Sequence, residues 1–284
     1  MSDAALRGVR DMYDRDAGAY AELRAPWLRA ASERAVAALP VRSARLVIDV
    51  ACGTGSGLDE LARAAPRARV VGLDLSAQML RRIGSGQGSA SAADDHLASV
   101  VQGDAARLPF ATGAADAVLC CFALMHMPSP ADAAAEFARV LRGGGAIALA
   151  TWGPDVPWPT RTAVLSILDE LGAPKVASSH HGAEATDSPE KVAGLLRSAG
   201  FGEICTDCRP LEELTPADAE TTLRGWSSLG STAARLASLG HQARAEYRRR
   251  ALLVLSDAGP SDLADPREVV YAWGFRALHS PSVS

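Results

Sequence analysis

The sequence predicts an α/β fold, a mostly parallel sheet with helices on both faces. Three observations carry that prediction. Short apolar runs rich in β-branched residues recur along the chain, amphipathic stretches alternate with them, and the connections between them are short. Residues 1–40 read as helices punctuated by Pro26 and Pro40. LVIDV at 46–50 is too short for a helix and reads as a buried parallel strand. Gly53, Gly55 and Gly57 follow, then an amphipathic stretch at 58–65 stopped by Pro66. RVVGL at 69–73 is a second buried strand, and Ser76 is placed to cap a helix running to about Ile83. Residues 84–95 are rich in Gly, Ser and Ala without periodicity and read as a surface loop.

Strands three and four are expected at 99–102 and 116–122. Ser129, Pro130 and Asp132 form a capping-box pattern opening a helix that ends at Gly143, Gly144 and Gly145. A fifth strand follows at 146–150. Ser188 and Pro189 open another helix, Gly200 closes it, and a sixth strand lies at 201–205. From a second capping box at Thr215 and Asp218 to about Leu255 the pattern is helical, ended by Pro260 and Pro266. The stretch 268–276 reads as a last strand. A helical insertion between two late strands is a candidate lid.

Composition narrows the classes. The chain has 284 residues, 48% hydrophobic and 22% charged, enough for a full core and unlike a disordered chain. No apolar run approaches the roughly 18–20 residues that a membrane helix needs. The N-terminal stretch is studded with charge, so a cytoplasmic location is expected. A net charge of −4 disfavours a phosphate-tracking nucleic-acid binder. Lys175 and Lys191 are the only lysines against 27 arginines, a bacterial high-GC signature without chemical meaning. Of the five cysteines, Cys205 and Cys208 have CxxC spacing, yet no second pair completes a zinc site, and packing is the expectation.

The chemistry gathers at strand ends. Gly53, Gly55 and Gly57 sit where ligands bind in open α/β sheets. The loop lacks the Gly-Lys-Ser/Thr of a phosphate loop, and Leu58 occupies the third glycine position of a dinucleotide fingerprint. Asp49, four residues before Gly53, would repel a pyrophosphate and suit a cationic ligand. Asp74 ends the second strand, where a carboxylate accepts from both hydroxyls of a ribose. Asp104, after the third strand, is placed to meet the exocyclic amine of an adenine. Each acid alone could simply cap a turn. Three in register with a glycine loop describe an acidic nucleoside site without a phosphate clamp.

From residue 47 to residue 152 the chain resembles the class I S-adenosylmethionine-dependent methyltransferases of the small-molecule "methyltransferase type 11", ubiquinone-biosynthesis-like kind. The resemblance rests on VIDVACGTG (47–55), VVGLDLSAQML (70–80), VVQGDAARLPF (100–110), DAVLCCFALMHM (116–127) and EFARVLRGGGAIALATW (136–152), all in order. It implies a Rossmann-like seven-stranded sheet whose last strand is antiparallel and inserted beside the fifth. It also implies S-adenosylmethionine as cofactor. Ala51, Cys52, Gly53, Thr54 and Gly55 would wrap the methionine moiety, with Asp49 close to the same positive end. Asp74 would hold the ribose, Leu75 and Met79 would flank the adenine, and Gly103, Asp104 and Ala105 would meet its edge. Cys121 and Phe122 would face the methionine amine, and Tyr13 and Tyr20 belong to an N-terminal element that closes over the cofactor. Two departures stand out. The family's first loop glycine is Ala51 here, a replacement that fits only a negative φ. The proline of the family's RVLRPGG is Gly143, which loosens that loop.

The expected organisation is a helical cap (1–40), a cofactor-binding core (41–210), a helical lid (211–265) and a returning strand with tail (266–284). The expected reaction is in-line methyl transfer to a small organic acceptor, oxygen first, in bacterial secondary or quinone-type metabolism. No metal, membrane or nucleic-acid partner is expected. His126 is the candidate base, at the carboxyl edge beside the methyl site, with a structural histidine as its alternative. Trp152, Trp158, Trp226 and Tyr247 suit the rim of a hydrophobic acceptor pocket, or ordinary packing. His180 and His181 read as loop bystanders, and Arg248, Arg249 and Arg250 as a solvated face. Two competitors remain at this level: a fold member that binds the cofactor without transferring methyl, such as a natural-product cyclase or binding module, and a nicotinamide-dependent oxidoreductase.

Overall fold

The computed structural model describes residues 3–83, 99–211 and 218–278. The expected loop at 84–95, and Thr215, lie outside these residues.

Seven strands form one sheet: β1 (Leu46–Val50), β2 (Arg69–Asp74), β3 (Ser99–Gln102), β4 (Ala115–Cys121), β5 (Leu141–Trp152), β6 (Phe201–Pro210) and β7 (Glu268–Arg276), in the order β3-β2-β1-β4-β5-β7-β6. β1 to β5 pair in parallel, while β7 runs antiparallel between β5 and β6. The central strand β1 is short and apolar because both its faces are covered: Val47, Ile48 and Val50 are all sealed from solvent. Strand order reverses between β1 and β4, so a crevice opens at their carboxyl ends.

On one face of the sheet lie α1 (Asp3–Leu23), α2 (Ala25–Ala37) and α3 (Ser56–Ala64); α2 and α3 contribute Leu28, Val36, Leu58 and Leu61 to a core with Val47 and Leu119. On the other lie α5 (Pro130–Val140) and α7 (Pro189–Ser198), which bury Phe137, Val192 and Leu196 against Ile48 and Ile147. Between them in sequence, α4 (Ala77–Leu80) follows β2, and α6 (Pro159–Glu170) follows β5. Ser76, Ser129 and Ser188 cap α4, α5 and α7 by accepting from Met79, Asp132 and Lys191 amides. The helices α8 (Ala219–Ser227), α9 (Gly230–Ala237), α10 (His241–Ser256) and α11 (Pro260–Leu263) fill the insertion before β7.

Several boundaries move. The helix at Ser129 ends at Val140 and not at the glycines, and β5 begins at once; five residues of β5 span two of β4, and Gly143 to Gly145 make the irregularity. The helix after Ser76 stops at Leu80, short of Ile83. β6 continues to Pro210, because its antiparallel partner β7 offers a full ladder. Asp218 itself caps the first insertion helix, with Thr221 N–H on its carboxylate, and Pro260 opens a helix where an end was expected. The stretch 153–187 carried no readable pattern, yet it holds α6. This helix lies in the range expected for the core but packs Val164 and Leu168 with Leu223, Trp226, Tyr247 and Leu255 in a separate cluster. Among the described residues no helix is long and apolar enough to cross a membrane, and no group of three or more metal-ligating side chains forms. All five cysteines are free thiols.

Candidate active site

A cavity of about 680 Å³ opens at the carboxyl edge of β1 to β4, beneath α1. No lysine or arginine lines it among the described residues.

Its floor is the turn after β1. Ala51 and Gly53 line the cavity. Ala51 has φ +57°, Gly53 +56° and Gly55 +94°. The expectation of a negative φ at Ala51 is therefore corrected: an alanine occupies a left-handed position that favours glycine, at a cost of about 1–2 kcal/mol. The turn holds because neighbours over-determine it. Cys52 N–H donates to Leu73 O (3.0 Å), Gly53 N–H to Asp74 Oδ2 (2.8 Å) and Gly55 N–H to Cys52 O (2.9 Å). Cys52, Thr54 and Gly55 shape this turn without lining the cavity. Asp49 also lies off the wall. It is buried below the turn, so tightly that a Cβ on Gly57 would sit 2.7 Å from its Oδ2. Burial, and then the charge of Asp74, pushes its carboxyl up to about 8.

Asp74 forms the next wall and is only 8% exposed. Its Oδ2 accepts from Gly53 and its Oδ1 from Ser76 N–H (2.8 Å), so it clamps the glycine turn to the start of α4. Burial raises its pKa, and the amides of Ser76 and Gly53 oppose that rise. The Leu75 amide also bonds this carboxylate, which keeps acceptor capacity for a ligand hydroxyl. Leu75 and Met79 supply apolar surface beside it. Gly103, Asp104 and Ala105 complete that side; Asp104 Oδ1 accepts from Ala106 N–H at 2.9 Å, which sets the turn after β3. The loop beyond is braced from α5, where Glu136 accepts from Leu108 N–H and Arg139 donates to the carbonyls of Leu108 and Phe110.

Cys121 and Phe122 line the wall after β4. Phe122 adopts φ +54°, and its N–H donates to Ala150 O at 2.7 Å. The turned ring packs on Trp152 with centroids 4.9 Å apart. His126 ends the short 3₁₀ turn Leu124–His126 and reaches the cavity. Its Nδ1 lies 3.1 Å from Ser179 O, and its Nε2 lies 2.8 Å from the Tyr13 hydroxyl. A carbonyl only accepts, so Nδ1 carries the proton and Nε2 accepts from Tyr13. Burial, followed by the neighbouring His180, lowers the imidazole pKa to about 3. His180, read as a bystander, stacks 4.8 Å from the His126 ring.

Tyr13 and Tyr20 come from α1 and meet edge to face, with centroids 6.0 Å apart. Burial pushes both phenols up, Tyr20 to about 12. Besides Tyr13 on His126, two carboxylates help to pin α1 over the cavity. Asp14 accepts from Ser76 Oγ (2.6 Å), and Asp16 accepts from Gly230 N–H (2.7 Å) at the start of α9.

Sequence reasoning missed Leu6, Val9, Leu73, Ala123 and Met127, which also line the cavity. Leu6, Val9, Tyr13 and Tyr20 are spaced by three, four and seven residues, so helical periodicity held the signal for the first two. Leu73, Ala123 and Met127 carry no chemical mark.

Comparison with known proteins gives three kinds of likeness. Residues 48–149 match the family model described as a methyltransferase domain. The chain is 32% identical to nocamycin O-methyltransferase of Saccharothrix syringae, over 76% of this chain and 79% of that protein. It is 33% identical to demethylmenaquinone methyltransferase of Deinococcus radiodurans, over 62% of this chain and 73% of that protein. Among solved structures, the [4+2]-cyclase SpnF superposes with a TM-score of 0.53 at 18% identity, covering 88% of this chain and 81% of that one, which speaks to fold alone.

Proposed function

Because this chain belongs to the class I S-adenosylmethionine-dependent methyltransferases, we propose that it methylates a small organic acceptor, at oxygen before carbon or nitrogen. The observation that carries the reading is the cavity itself, with carboxylates at successive strand tips, a glycine turn, apolar flanks and, among the described residues, no cation for a phosphate. These residues fit the cofactor. Asp74 would take the ribose hydroxyls on its remaining lone pairs, Leu75 and Met79 would sandwich the adenine, and Asp104 would accept from the adenine amine. Ala51, Gly53 and the backbone at Cys121 would surround the amino-acid end, while Asp49 would act on it through its field. When bound, S-adenosylmethionine supplies an electrophilic sulfonium methyl.

The residues of the chain then have three tasks: to orient, to exclude water and to present the acceptor. α1 closes the cavity through Tyr13 and Tyr20, and the body of α6 and α8–α11 serves as a lid tied to it through Asp16. His126 was the candidate base. With both nitrogens engaged, its task in this reading is to hold the Tyr13 hydroxyl in place. An acceptor that arrives as an oxyanion needs no base. Nocamycin O-methyltransferase, by its name, transfers to oxygen, which favours the same atom here. We place the reaction in secondary or quinone-type metabolism on the strength of these two relatives.

The test is an incubation with methyl-labelled cofactor and a panel of phenols, quinols, carboxylic acids and amines. Label is expected in an oxygen-bearing acceptor, with S-adenosylhomocysteine formed in equal amount. Cofactor binding with no labelled small molecule from any class rejects the reading.

A further inference from the structure

A second cavity, of about 500 Å³, lies among the end of α1, the start of α2, the start of α6, the α8–α9 junction and the segment leading into β7. Three guanidiniums face it: Arg24, Arg161 and Arg267. One carboxylate, Asp265, faces it with them, and that carboxylate is engaged by Arg267 through both oxygens. The charge of Asp265 also acts on Arg24 and Arg161, and Asp155 acts on Arg161 as well, so one lining carboxylate is shared among three lining guanidiniums. Arg24 and Arg161 are half-buried. Burial, and next the positive charge of Arg267, lowers the pKa of each. Three partly desolvated cations around one carboxylate leave an excess of positive charge that is costly for a fold to keep, and a ligand anion is the group that relieves it.

The walls are aromatic and rigid. Arg161 lies over the Trp158 ring at 5.6 Å, and Trp158 is fixed by its Nε1 donating to Asp262 O (2.8 Å) and by an edge contact with Trp226 at 4.9 Å. The cavity also adjoins the cofactor site. Arg24 sits one helical turn after Tyr20 and 5.9 Å from the Trp152 ring. Arg267 stacks on that ring at 4.1 Å, and the same ring packs on Phe122 of the cofactor cavity.

We propose that this methyltransferase takes an acceptor bearing a carboxylate on an apolar or aromatic body, the carboxylate held by Arg24 and Arg161 and the body by Trp158 and Trp226. The proposal rests on the methyl-transfer reading and specifies its substrate class. The carboxylate is a handle for binding; the guanidinium fork meets its two oxygens side by side, which an amide cannot match.

Titration calorimetry tests it, with S-adenosylhomocysteine held at saturation and three probe pairs: benzoate and benzamide, 2-naphthoate and 2-naphthamide, decanoate and decanamide. At least one acid is expected to bind about tenfold or more tighter than its amide, the size of one charge-assisted pair. Arg161→Gln, and separately Arg24→Gln, should remove that preference while leaving S-adenosylhomocysteine affinity unchanged, which also certifies the fold. Acids and amides alike in affinity, or all without binding, overturn the proposal, as does a preference that survives both variants. Failure of the wild-type chain to bind S-adenosylhomocysteine would break the cofactor reading instead, so the two failures are distinct.

Discussion

The two cavities are built in opposite ways. The cofactor cavity takes most of its walls from strand ends, where each lining residue follows closely on a strand: Asp74 ends β2, Asp104 follows β3 and Phe122 follows β4. It is lined by carboxylates and, among the described residues, by no lysine or arginine. The second cavity is cationic and draws on four separate chain segments, around residues 24–27, 158–161, 225–229 and 265–267. The lesson is that a parallel sheet makes one binding edge almost automatically, while a pocket between helices exists only once those helices have packed. The first suits a ligand shared by a whole family and the second a ligand particular to one member.

The largest way to break the comparison is Asp74→Ala. In the proposed site it would remove the acceptors for the ribose hydroxyls, and it also frees the amides of Gly53 and Ser76. S-adenosylhomocysteine affinity should fall by about 2 kcal/mol or more, roughly thirtyfold. Carboxylate binding in the arginine cavity, measured without the nucleoside, should be untouched. Calorimetry checks both, and a cofactor affinity equal to wild type would remove Asp74 from the site.

A smaller effect is expected from Ala51→Gly. The glycine relieves the positive φ at the cavity floor, and stability should rise by about 1 kcal/mol. A urea unfolding series reads this as a higher midpoint at constant slope; a lower midpoint would mean that the alanine is not strained there.

The smallest is a pH effect. Burial and Asp74 hold the Asp49 carboxyl near 8, so the free protein keeps that proton at neutrality. A bound cation favours the ionised form and lowers that value. Cofactor binding should therefore release a proton, and affinity should rise a few-fold as pH climbs towards about 8 and then level. Calorimetry in buffers of different ionisation enthalpy measures the proton, and Asp49→Asn should flatten the profile. An unchanged slope in that variant assigns the effect to another group.

How far the sequence was legible follows from the same contrast. β1 and β7 stand where periodicity placed them, because a buried strand needs a continuous apolar run. The serine caps were readable since capping is a matter of three residues. The turn at Ala51 was legible in place but not in conformation: hydrogen bonds from the Cys52 and Gly53 amides to Leu73 and Asp74 hold a dihedral that alanine disfavours. Asp49 was legible as an acid at a strand tip, yet its direction, down under Gly57 and away from the cavity wall, depends on packing. The pairing of His126 with Tyr13 spans 113 residues and had no local signal.

By itself, then, the order of residues determined the sheet and its acidic, glycine-turned edge, the basis of the proposed nucleoside site, since strand burial, turn chemistry and capping are all settled within a few neighbouring positions. Tertiary packing alone decided that α6 joins the insertion helices and that Arg24, Arg161 and Arg267 converge with one carboxylate among them. Charges far apart in the chain acquire a common field only when burial strips away the water between them.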